Sequence, residues 1–209
     1  MSGSRDKSIH IWSINTGETI NKINVGSEVL SIRVLLDRNQ ILCGLSGISA
    51  DLRIYNYNDG SLVETLVGHS NSVNSLEILN EQYIASGSEF DSVFIWDLNT
   101  YKIKYVLRGH NGWVYCIKRI SSNLIASGDI NGKIIIWDWL QYQIVYTLTG
   151  HTSGLFLSSL DLFDEQTFIS GSLDQTIKFW NISNRFELIQ TINTTFPIGA
   201  LAVIKQKVA

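Results

Sequence analysis

Hydrophobic positions in this chain fall in short runs of about six residues, rich in Ile, Val, Leu, Tyr, Phe and Thr and closed by Gly, Asn, Asp or Ser. Runs of that length bounded by turn formers are strand signals, because branched and aromatic side chains suit a pleated surface. No stretch keeps apolar residues at helical spacing for long enough to compete. In the middle of the chain the pattern predicts strands near 73–79, 83–87, 93–98 and 102–107. The whole chain is expected to be all-β.

The runs repeat. Segments ending in an aromatic recur at Ile9-His-Ile-Trp12, Leu52-Arg-Ile-Tyr55, Val93-Phe-Ile-Trp96, Ile134-Ile-Ile-Trp137 and Ile177-Lys-Phe-Trp180, with 43, 41, 41 and 43 residues between the aromatics. Ten residues before four of the tryptophans stands a Ser-Gly pair, at Ser2-Gly3, Ser86-Gly87, Ser127-Gly128 and Ser170-Gly171. Gly-His pairs at Gly68-His69, Gly109-His110 and Gly150-His151 keep a spacing of 41. A period of this length with four strand signals marks a repeat architecture in which each unit is one small sheet.

These residues resemble the WD-repeat family of β-propellers, whose repeat carries a Gly-His pair, a small-residue strand and a closing Trp-Asp. Trp96-Asp97 and Trp137-Asp138 match the closing dipeptide, Trp180-Asn181 is a variant, and Tyr55-Asn56 and Trp12-Ser13 are weaker. The resemblance covers nearly the whole chain. It implies a single domain over residues 1–209 of four-stranded antiparallel blades, about five repeat equivalents: four complete blades plus a split terminal one. Residues 198–204 read as a first strand and 207–209 as the start of a second, complementary to Ser2-Gly-Ser4. The ring is expected either to close with five blades through its terminal strands or to be part of a larger propeller.

The resemblance also implies a buried hydrogen-bond network joining the Gly-His histidine, the second-strand Ser, an Asp in the next turn and the third-strand Trp. A buried indole N–H, hydroxyl, imidazole and carboxylate each need partners, and here they can satisfy one another. The last full unit holds every member: His151, Ser170, Asp174 and Trp180. The unit before has His110, Ser127 and Trp137 with Asn131 in the Asp slot, and the one before that has His69, Ser86 and Trp96 with Phe90 in the slot and Asp91 one residue late. The second unit has Ser27, Cys43 and Tyr55. Blade rigidity is expected to fall in that order. A Ser-His-Asp set could also suggest a hydrolase, but a nucleophile must be exposed and unique, whereas this set repeats beneath an indole. No GxSxG, HExxH or GxxxxGK[ST] pattern occurs, so no catalytic, cofactor or metal residues are assigned.

Propellers of this kind bind partners on the face carrying the loops into the first strand and between the second and third. Three residues after each Gly-His histidine stand Ser72, Trp113 and Gly154, so Trp113 is the aromatic outlier, two residues after Asn111 and in phase to point away from the packed Val114, either as a solvent-facing anchor for a partner or as filler against a neighbouring blade. Before the turn slot stand Arg5, Glu89, Ile130 and Leu173, with Phe90 beside Glu89. Arg5, in Ser2-Gly-Ser-Arg-Asp6, is similar to substrate-receptor propellers of F-box ubiquitin ligases, where arginines at this place clamp a phosphorylated degron. A phosphate clamp needs several converging arginines, and here one stands with an acid and two aliphatics. The expected function is therefore a non-enzymatic scaffold for protein partners, with ligase substrate recognition as the alternative and an enzyme built on a propeller as a third.

Composition narrows the setting. With 44% hydrophobic residues, 17% charged and one proline, the chain is not of disordered type. A net charge of −3 without a basic block makes nucleic acid a poor partner. Residues 139–160 form the longest uncharged stretch but include two Gln, two Gly and a His, so no membrane span is expected. No targeting segment is read at the N-terminus. Cys43 and Cys116 lack metal or redox spacing and read as apolar strand residues in a reducing compartment, cytoplasm or nucleus.

Overall fold

The computed structural model describes residues 1–48, 51–89 and 92–204, and the chain divides into two compact units, Met1–Val106 and Leu107–Ala209. In the first unit, β1 (Ser2–Gly3), β2 (Ser8–Trp12) and β3 (Thr19–Asn24) make a three-stranded sheet. Two four-stranded antiparallel sheets follow in simple up-and-down order. One is β4 (Val29–Leu35), β5 (Gln40–Leu45), β6 (Leu52–Asn56) and β7 (Leu62–Leu66). The next is β8 (Val73–Ile78), β9 (Tyr83–Ser88), β10 (Ser92–Asp97) and β11 (Lys102–Arg108), with the unit boundary inside β11. The second unit repeats the plan twice, as β12 (Val114–Arg119), β13 (Leu124–Asp129), β14 (Ile134–Asp138) and β15 (Gln143–Leu148), then β16 (Leu157–Leu162), β17 (Thr167–Ser172), β18 (Thr176–Asn181) and β19 (Glu187–Asn193). The strands expected near 73–107 are present to within a residue.

Burial explains the composition of each strand. After its first residue, each complete second strand (β5, β9, β13, β17) is wholly buried, which small residues such as Ala85-Ser-Gly87 permit; the outer strands are largely exposed and carry the mixed residues. Apolar side chains pack between neighbouring sheets within a unit. In the second unit Cys116, Ala126, Ile136 and Leu148 meet Leu157, Leu160, Phe168 and Trp180 in one core. A register shift recurs where first and second strands pair, at Val29/Ser31, Val73/Ser75, Val114/Cys116 and Leu157/Ser159. Such bulges add twist. Opposite it the second strand carries glycine, and at Gly128 a β-carbon would collide with Leu157 of the next sheet. Glycine thus lets the next sheet approach.

First strands of adjacent sheets are also paired by charge. Arg33 on β4 meets Glu77 on β8 at 3.2 Å, and Lys118 on β12 meets Asp161 on β16 at 2.8 Å. Residues 198–204 differ from the expectation, because they form no β-ladder. Ile198 N–H donates to the Ser172 carbonyl at 3.1 Å, Leu201 N–H to Ser159 Oγ at 3.0 Å and Val203 N–H to Asp161 Oδ2 at 2.8 Å. Two of these acceptors are side chains on β16, and Ser31 Oγ likewise reaches the Val73 carbonyl across a sequence separation of 42. The segment therefore packs on the face of the last sheet, where a following first strand would stand. The expected strand start at 207–209 lies outside the described residues.

Candidate protein-interaction site

The repeated polar networks form first, since they fix the loops around them. In three sheets the third-strand indole donates to the second-strand serine: Trp96 to Ser86 at 2.8 Å, Trp137 to Ser127 at 2.7 Å and Trp180 to Ser170 at 2.8 Å. Trp12 makes the same bond to Ser2 at 3.0 Å, half exposed. Each serine also contacts imidazole Nε2, at 2.6 Å for His69 and His110 and 2.7 Å for His151. Ser86, Ser127 and Ser170 are wholly inaccessible, so none can reach a substrate carbonyl.

The carboxylates alter the expected ranking. His151 Nδ1 donates to Asp174 at 2.9 Å, and Asp174 also accepts from the Thr152 and Thr176 amides and the Thr176 hydroxyl, as expected of the complete set. In the preceding blade the acid is Asp129, not an Asn131 substitute. His110 Nδ1 donates to Asp129 Oδ2 at 2.9 Å, while the amides of Asn131 and Lys133 donate to Oδ1 at 2.9 and 3.0 Å. The carboxylate arrives from the end of β13, two residues ahead of the turn slot, and both side chains of the pair are fully enclosed. The assignment of Asn131 to the Asp slot is therefore corrected: both blades of the second unit have complete networks. The sequence carried a signal, since Ser127-Gly-Asp129 departs from Ser86-Gly-Ser88 and Ser170-Gly-Ser172.

Burial and pairing set the protonation states. Burial raises the pKa of Asp129 and of Asp174, but it is outweighed by the hydrogen bonds and charge of the facing histidine and by hydroxyl and amide donors, so both carboxyls sit below their ordinary range. For His151 burial dominates over Asp174 and lowers the pKa. His69 is lowered by burial to about 4 and stacks on Phe94 at 4.1 Å. Phe90 and Asp91, which the sequence placed at its turn slot, lie outside the described residues. In the second blade Ser27 bonds the Ser46 carbonyl instead of entering a network, and Arg53 reaches the Val25 carbonyl at 2.6 Å. Both cysteines are buried free thiols, and burial pushes Cys43 up to about 12.

On this frame the loop candidates take definite places. The amides of Glu89, Ile130 and Leu173 donate to the carbonyls of Ser72, Trp113 and Phe156, at 3.3, 2.9 and 3.2 Å. Those three are thus equivalent positions, all half-buried. Their acceptors show that Phe156, not Gly154, is the counterpart of Trp113. The loop after His151 is two residues longer and turns back on a Thr152 carbonyl to Leu155 amide bond with Gly154 at positive φ. Trp113 is 40% accessible and lies 6.4 Å from Tyr115, which stacks on Phe156 at 4.7 Å. Tyr115 and Phe156 were missed because the longer loop hid the alignment, although Tyr115 follows Trp113 by the strand period.

Beside this aromatic run, Asn111, Asn131, Lys133, Thr149 and Ser153 line a polar hollow of about 280 Å3. Asn131 Nδ2 donates to the Asn111 carbonyl at 3.5 Å and Lys133 Nζ to the Gly109 carbonyl at 2.9 Å. Gly132 is required here, with φ of 73° and a β-carbon position 3.0 Å from His151 Cβ. Asn111, Trp113 and Ile130 therefore come together on one blade, with Leu173 on the next. Arg5 belongs to the other unit, is exposed, and stands 3.8 Å from Glu28.

The family model described as WD domain, G-beta repeat matches residues 60–97, 101–138 and 142–181, more than half of the chain. This chain belongs to the WD-repeat family. It is 30% identical over 101 residues to Protein SPA1-RELATED 3 of Arabidopsis thaliana, covering 47% of this chain and 12% of that protein. Ribosome biogenesis protein YTM1 of Scheffersomyces stipitis is 36% identical over 110 residues, 49% of this chain and 23% of its own length. Anaphase-promoting complex subunit cdh1 of Dictyostelium discoideum is 28% identical over 97 residues, 46% of this chain and 13% of its own. The WD-repeat chain thus matches less than a quarter of the length of each of these relatives.

Proposed function

We propose that this WD-repeat chain is a non-enzymatic scaffold of the cytoplasm or nucleus that holds protein partners on its loop face, with Trp113 as anchor and Tyr115 and Phe156 extending the contact. The observation that carries the reading is the contiguous, partly exposed aromatic run beside a hollow of amides and hydroxyls. Exposed large aromatics next to satisfied polar groups are what binding hot spots are made of. Buried serines argue against a hydrolase built from the repeated network, and the relative named as a complex subunit supports assembly with other proteins. No helix among the described residues is long and apolar enough to cross a membrane.

Ligase substrate recognition is the weaker reading, because Arg5 is the one basic residue among the aligned turn positions and Glu28 competes for it. Two measurements test the scaffold. Capture from lysate, followed by identification and rebinding with purified components, should yield a partner retained by the parent and lost by Phe156→Ser. A broad hydrolase screen should find no turnover; activity abolished by one polar substitution on the loop face would overturn the reading.

A further inference from the structure

At the far end of β4 and β8 from the loops that precede those strands, the first unit encloses a groove of about 470 Å3. Val34 and Ile78 are half-buried along it, and Leu36 forms an aliphatic lip that is 83% accessible. Asp37 and Glu81 stand exposed at the rim.

The walls are already fixed. Leu36–Arg38 is a 3-10 turn closed by Asn39 at φ 54°, whose amide donates to the Leu36 carbonyl at 3.1 Å. On the other side Asn80 Oδ1 accepts the amides of Gln82 and Tyr83 at 2.9 and 2.8 Å. Arg38 lies in the lining, yet its guanidinium donates to the carbonyls of Leu98 and Glu81 at 2.9 and 3.1 Å and to Asn99 Oδ1 at 2.6 Å. Three of its donors are thus taken by neutral oxygens, and among the described residues neither rim carboxylate has an ion-pair partner.

We infer that this groove docks a partner segment in which a bulky apolar side chain is flanked by lysines or arginines. The apolar side chain covers Leu36, Val34 and Ile78, which removes their surface from water. The flanking cations face Asp37 and Glu81, so charge sets which segment is accepted and how fast it arrives. The groove is built from residues of the first unit alone and the aromatic run from residues of the second, so its partner is proposed separately from the one on the loop face.

The test is fluorescence anisotropy on the whole chain with three labelled hexapeptides: Lys-Lys-Leu-Phe-Lys-Lys, Glu-Glu-Leu-Phe-Glu-Glu and Lys-Lys-Ser-Ser-Lys-Lys. The first should bind about tenfold or more tightly than the other two. Leu36→Ser, and Asp37→Lys combined with Glu81→Lys, should each weaken it by about tenfold or more with melting unchanged, while Trp113→Ala leaves it unaffected. Equal binding of all three peptides, indifference to the groove variants, or a sedimentation result in which copies of this chain self-associate through Leu36 would overturn the proposal.

Discussion

A carboxylate facing a buried imidazole is the residue-scale device shared by both blades of the second unit. Asp129 serves three donors inside a fully enclosed pair, so Asp129→Ala should cost about 3 kcal/mol by leaving His110 and two amides unpaired. Asn131→Ala should cost less than about 1 kcal/mol, since its side chain makes one long bond in an exposed place. Urea titration of the two variants checks the order, and a larger loss at Asn131 would return the network to the slot that sequence alignment gave it. The histidine, serine and tryptophan were legible because they recur at fixed spacing. Asp129 was not, because a carboxylate can reach the same imidazole from the strand end or from the turn, and spacing to the neighbours favoured the turn.

The same networks set an acid limit. Burial holds His69 at about 4, below its ordinary 6.5, so the fold favours the neutral ring. That stability is complete above pH 6.5 and is lost as pH falls towards 4, amounting to roughly 3 kcal/mol. His151 acts in the same direction. Asp129 and Asp174, held low in the fold, add their own loss as pH falls below their ordinary value of 3.8. The urea midpoint should therefore drop between pH 7 and pH 4.5, and a midpoint constant over that range would show the histidines to be solvated.

Glycine opposite the bulge is the element-scale counterpart. A methyl group at Gly128 would drive into Leu157, so Gly128→Ala should cost roughly 1 to 3 kcal/mol through overpacking. Gly199→Ala, with nothing within 4 Å, is the control and should stay within about 0.5 kcal/mol. Denaturant titration separates them, and equal values would mean that the sheets do not need this approach. Strand limits and blade plan were readable because period-2 runs closed by turn formers leave little freedom. Residues 198–204 were misread for a physical reason: an apolar extended run has the same pattern whether it pairs edge to edge or lies on a sheet face bonded to Ser159 and Asp161. The two extra residues after His151 likewise moved Phe156 out of its apparent register.

For the whole molecule, the repeat separates holding from binding. Indoles, imidazoles and carboxylates are spent on one another inside the sheets, and the aromatic surface on the loop side is left for recognition. Trp113 stood out in the sequence as the odd residue among its repeats, but its two aromatic companions appear only when the blades are set side by side. At 40% accessibility it has less core contact to lose than a buried indole, and the account turns on that difference. The most direct test is titration calorimetry of the captured partner against Trp113→Ala, with melting recorded on the same samples. Affinity should fall by about 2 kcal/mol or more, roughly thirtyfold in Kd, while melting stays close to the parent. A large drop in melting temperature with affinity per folded molecule unchanged would make Trp113 a packing residue and contradict the account.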